Sequence, residues 1–69
     1  MTRPEPEHAD IARRVCTDRQ FLAWAMREVG ISEVSVALLM KVSRRTVRDH
    51  VAEAKAKIDR ELASMGEAA

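Results

Sequence analysis

Cysteine occurs once in this chain, as Cys16, so no disulfide can form within it. The only aromatics are Phe21 and Trp24, too few for the spaced stacking platform of a single-strand nucleic-acid binder. Glycine and proline appear twice each, which leaves no Gly-rich phosphate loop, and there is no HExxH pair. His8 and His50 stand far apart and no Cys/His cluster has metal-ligand spacing. No nucleophile is paired with a base, and the acids are dispersed along charged stretches. The longest uninterrupted apolar run, "VALLM", is far short of the ~18 residues of a membrane span. The N-terminal "MTRPEPEHAD" lacks the apolar core of a signal peptide. These absences predict no enzyme, no cofactor, no metal and no membrane. One unpaired cysteine without an export signal fits a reducing cytoplasm.

What is present is helix-forming. The chain is 46% hydrophobic and 33% charged, rich in the helix formers Ala, Arg and Glu, with β-branched residues scattered rather than alternating. An all-α fold follows. At 69 residues the chain is one domain at most, below the ~70–80 residues at which a single core comfortably outweighs chain entropy. Self-association is the expected remedy. The net charge is only +1, yet residues 41–57 carry six Lys/Arg against Asp49 and Glu53, and the last twelve residues are acidic on balance.

Residues 1–7 read as a flexible tail, 8–65 as the domain and 66–69 as a second tail. A first helix is expected over 8–15, with Ile11, Ala12 and Val15 on one side. Thr17 and Gln20 then form a capping box, with Cys16 and Phe21 as its hydrophobic staple. That helix should run to about Val29, where Gly30 stops it. Ser32 caps a short helix whose expected inward residues are Val36, Ala37, Leu39 and Met40. After a tight connection through Lys41 and Val42, Ser43 caps a long helix of about twenty residues. Its stripe, Val47, Val51, Ala54, Ile58, Leu62 and Met65, has near-heptad spacing. Two short capped segments across a short turn, the second basic at its start, predict a small helix-turn-helix domain of three to four helices with a long C-terminal recognition helix.

The segment "GISEVSVALLMKVSRRTVRDHVAEAKAKI" resembles the helix-turn-helix of bacterial sigma-factor region 4 and of LuxR-type response regulators. Gly30, Ile31, Ser32, Val36, Ala37, Val42, Ser43, Thr46, Val47, Arg48 and His50 fall on the shared pattern without a gap. "CTDRQF" sits where these families often have L-T-x-R-[EQ]. The resemblance implies a DNA-binding fold over roughly residues 16–62. Three departures stand beside it. Lys41 replaces the usual turn glycine, which calls for a different turn conformation or a left-handed lysine. Within these 69 residues neither a fourth, dimerising helix nor the other regions of a sigma factor are expected, so the resemblance covers the helix-turn-helix and not a complete sigma factor.

On a wheel with Val47 at zero, Val51, Ala54 and Ile58 fall within about 40° and define the buried side. Arg45, Arg48, Asp49, Ala52 and Ala56 lie on the opposite arc, with Arg44 and His50 on its flanks. Arg45 and Arg48 suit guanine edges by bidentate contact. Asp49 has three readings: repelling phosphate, accepting from cytosine, or orienting Arg45 or Arg48, the last favoured. Ser43, Thr46 and the helix start suit phosphate, with charge from Lys41 and Arg44 and a flanking contact from His50. The bland alternatives are a solvated face for the cations, helix packing for Thr46 and Val47, and core for Phe21 and Trp24. Cys16 reads as buried and inert. Leu62 and Met65 extend past the expected core, so Ile58, Leu62 and Met65 are the candidate dimer contact, against fraying of the helix end.

The expected function is a small, sequence-specific double-stranded DNA-binding regulator, a homodimeric repressor that blocks by occupying its operator, of the kind frequent in phages and mobile elements. Two alternatives share the fold: a region-4-like module binding RNA polymerase or another regulator, and a DNA-packaging or recombination accessory protein.

Overall fold

The computed structural model describes residues 6–68. Four helices follow one another: α1 (Pro6–Val15), α2 (Asp18–Glu28), α3 (Glu33–Met40) and α4 (Arg44–Ala68). No strand occurs among the described residues, so the fold is all-α as expected. No described helix is long and apolar enough to cross a membrane.

Each boundary has a local cause. Pro6 opens α1 two residues earlier than expected, because proline's fixed φ suits a first helical position whose N–H has no helical acceptor. Residues 1–5 of the expected tail lie outside the described residues. Thr17 caps α2 in a full capping box: its Oγ1 accepts from the Gln20 N–H at 3.2 Å while Gln20 Oε1 accepts from the Thr17 N–H at 3.1 Å. Cys16 and Phe21, the expected staple, pack against one cluster.

The ends of α2 and α3 use one device twice. Gly30, at φ 98°, donates its N–H to Arg27, and Ile31 donates to Met26. Eleven residues on, Lys41, at φ 58° and ψ 45°, donates to Leu38, and Val42 donates to Ala37. In both, a left-handed residue turns the chain back to satisfy carbonyls of the last helical turn. An apolar residue then tucks against the core, and a serine caps the next helix. Gly30-Ile31-Ser32 and Lys41-Val42-Ser43 are thus equivalent connectors.

The core has two lobes. Ile11, Ala12, Trp24, Ala54 and Ile58 join α1, α2 and the middle of α4. Ala23, Val36, Ala37 and Val47 join α2, α3 and the start of α4. Alanine recurs at these crossings (Ala12, Ala23 and Ala54 have no exposed surface), which lets the helix axes approach closely and compensates for few large side chains. Trp24, 4% exposed, fills the first lobe, with Phe21 tilted against it at 6.2 Å between ring centres. Arg13 lies over the outer face of Phe21, 5.5 Å from its centre. Both aromatics serve packing. Cys16 is half-buried; burial pushes its thiol up, with Lys57 pulling the other way.

Four expectations need correction. Leu39, placed inward by spacing, is 66% exposed; α3 packs through Val36, Ala37 and Met40, and Leu39 falls outside that arc. Ile58, offered to a dimer contact, is 4% exposed and belongs to the chain's own core. Leu62, expected to extend past the core, is half-buried and packs against the same lobe. The C-terminal tail is not a tail as far as Ala68, since α4 continues through Gly66; a glycine near a helix end costs only about 1 kcal/mol.

One buried polar side chain ties α2 to α4. Gln20, 7% exposed, donates through Nε2 to Glu53 Oε2 at 2.6 Å and accepts at Oε1 from Lys57 Nζ at 2.8 Å. Glu53 and Lys57 are one helical turn apart on α4, so a single amide grips both. Replacing Gln20 by Ala removes these bonds and half of the capping box. The Gln20→Ala protein should be less stable by about 2 kcal/mol, read as an earlier urea-unfolding midpoint by circular dichroism with the slope unchanged.

Candidate nucleic-acid interface

The start of α4 is built by its own sequence. Ser43 Oγ accepts from the Thr46 N–H at 3.1 Å and lies 2.9 Å from Thr46 Oγ1. The N–H groups of Arg44 and Arg45 remain in the open first turn, the part of a helix that favours anions. Val47 anchors this turn in the second lobe at 1% exposure. With Val47 inward, Arg45, Arg48, Asp49, Ala52 and Ala56 are all exposed, as the wheel predicts. Lys41 and Arg44 are also exposed, whereas Thr46 and His50 are half-buried on the flank. Thr46 therefore combines packing with a hydroxyl already engaged by Ser43.

The arginine geometry differs from expectation in one respect. Among the described residues no ion pair joins Asp49 to Arg45 or Arg48. The organising acid is Glu33, the first residue of α3. Its Oε1 accepts from Arg44 Nε at 3.1 Å, and its Oε2 lies 3.5 Å from Arg48 Nε. Glu33 is thus a clamp holding two guanidinium groups side by side, each still about two-thirds exposed. Sequence reading missed it because Glu33 and Arg44 are in reach only after the Lys41 turn folds α3 back.

Two further cations join the surface. Arg27, at the end of α2, and Lys55, on α4, line an open hollow of about 340 Å³ with Glu28, Glu33, Arg48 and Ala52. Arg27 also donates through Nη1 to the Ile31 carbonyl at 2.7 Å, bracing the α2–α3 connector. Lys55 could have been found from sequence, since Arg44, Arg48 and Lys55 follow four- and seven-residue helical spacing on one edge. Arg27 could not. Among the described residues no group of three His, Cys, Asp or Glu side chains could hold a metal ion.

No family model, curated protein or solved structure matches this chain.

Lys41 combines a strained backbone with an exposed cation. An L-residue in the left-handed region costs about 1–2 kcal/mol, partly offset in a glycine by its freer unfolded state. Lys41→Gly should therefore stabilise the fold by about 0.5–1 kcal/mol, measured as a later urea midpoint, and show that the side chain is kept for a reason other than stability.

Proposed function

We propose that the chain is a sequence-specific double-stranded DNA-binding regulator, working as a dimeric repressor by occupying its operator. The α3–turn–α4 unit is its helix-turn-helix, and the start of α4 enters the major groove. The observation that carries this reading is the exposed arc of α4. Arg45 and Arg48 project opposite the buried Val47 and Ala54, and Ala52 beside them keeps the helix surface low. Two guanidinium groups on a low helix face match the O6 and N7 of guanine in geometry. Lys41, Ser43, Arg44 and the open first turn supply phosphate contacts on either side, His50 adds one from the flank, and Asp49 is left for a cytosine amino group.

A salt series of binding to a random-sequence duplex library, with selection of the tightest binders, tests it. The expected result is a steep loss of affinity with salt and an enriched inverted repeat. The Arg45→Glu/Arg48→Glu double variant should bind selected DNA at least roughly 100-fold more weakly, since each lost bidentate contact costs about 1–3 kcal/mol. A shallow slope with no enriched sequence would sink the proposal.

Glu33 has a defined part in this reading. It neutralises two arginines that phosphate or bases would otherwise hold, so DNA must compete with it. Glu33→Gln should raise affinity for random DNA several-fold while the enrichment of the best site falls, because released arginines bind phosphate without discrimination. Unchanged affinity for both DNAs in a fluorescence anisotropy titration would remove Glu33 from the interface.

A second reading, a protein-interaction module binding RNA polymerase or another regulator, draws on the exposed Val34, Leu38 and Leu39 of α3. In that case the arginine reversals would leave the partner contact intact.

A further inference from the structure

Helix α3 is apolar on both sides. Val36, Ala37 and Met40 face the core, while Val34, Leu38 and Leu39 face outward at 47, 74 and 66% exposure. A helix that is hydrophobic all round is ordinarily buried all round. This one is covered on a single side. Next to it, Leu22 of α2, itself 48% exposed, and Met40 line a shallow hollow of about 240 Å³ together with Asp18 and Arg19.

We infer that this α2–α3 face is where two copies of the chain pair, with a leucine of α3 from each copy seated in the hollow of the other. The inference deepens the dimeric part of the proposed function but does not depend on DNA.

Three observations point to a second copy as the occupant. Projecting leucines and a receiving hollow lie on adjoining helices of one molecule, and a two-fold interface requires a patch that contains both halves of its own contact. The hollow's lining carries one charge of each sign, Asp18 and Arg19, so a second copy brings a matching acid and arginine and no net charge of one sign. A strongly acidic or basic partner would meet a like charge there. Finally, the competing site at the end of α4 has little left to offer: Ile58 is in the core and Leu62 half-buried, leaving Met65 at 44% exposure. A standard interface takes about 800 Å² from each partner, about one-sixth of this chain's 4920 Å² surface. The face is also separate from the arginine edge, since Leu38 lies about 140° around α3 from Glu33. Pairing through it leaves Arg45 and Arg48 open.

Mass measured by analytical ultracentrifugation over a dilution series, without DNA, reads this directly. The wild-type chain should sediment as a dimer at micromolar concentration. Leu38→Glu/Leu39→Glu should shift the midpoint of dissociation upward by at least 100-fold, while Met65→Glu and Arg45→Glu/Arg48→Glu leave it in place. Should the leucine variant fail to fold, Leu22→Glu, which puts a charge into the hollow itself, gives a second reading: the midpoint of dissociation should rise by at least 10-fold while the helix content stays unchanged. A wild-type monomer at all concentrations, open-ended assembly, or a dimer lost with Met65→Glu would each overturn the inference. A folded monomeric wild-type chain that still selects a DNA sequence would overturn it while leaving the DNA reading standing. A dimer with no DNA preference would do the reverse.

Discussion

Helix α3 meets α4 through three residues, and Lys41 sets the angle between them. Its left-handed backbone lets Val42 reach back to the Ala37 carbonyl and enter the second lobe of the core, so that Ser43 arrives in position to cap α4. Much else depends on this one reversal. It brings Val36 and Ala37 onto Val47, brings Glu33 within reach of Arg44 and Arg48, and turns the outer face of α3 away from the arginine edge. The chain places a lysine where a glycine would be cheaper. The same connector at Gly30 performs the same turn without strain, so Lys41 is the position at which local stability and an exposed cation compete.

Helix α4 does two jobs with one surface. Its inward stripe, Val47, Ala54 and Ile58, closes both lobes, while its outward arc carries the cations. The two are compatible because a helix period near 3.6 separates them by about half a turn. Gln20 reinforces the arrangement from the side. It is held by Thr17 on its own helix and by Glu53 and Lys57 on α4, which fixes α2 along α4 as well as against it. A fully satisfied polar group of this kind adds directional specificity to a core made largely of alanine and a few larger side chains.

The charge distribution is more informative than its total. A net charge of +1 gives little long-range attraction for a polyanion, yet the start of α4 gathers Lys41, Arg44, Arg45 and Arg48, with Arg27 and Lys55 along the same edge. Glu33 sits within this group. It pairs with two of these side chains, and each such exposed ion pair contributes only about 0–1 kcal/mol. In the proposed complex it trades part of the general affinity for order among the arginines.

The helix starts and stops were legible in the sequence, because a cap is made by residues three or four apart. Thr17 with Gln20, Ser32, Ser43 and Gly30 acted where their spacing placed them, and the period-matched Val47, Ala54 and Ile58 turned inward. The exposed arc with Arg45 and Arg48 followed from the same arithmetic. Periodicity failed where burial depends on which neighbour arrives: Leu39 stayed outside, and Leu62, expected past the end of the core, is half-buried against its first lobe. Glu33 and Arg27 were invisible as site residues for the same reason, and so was the bond network around Gln20. Spacing along the chain determines which side of a helix a residue occupies. Only packing decides which sides are used up, since that is set by contacts between residues far apart in sequence.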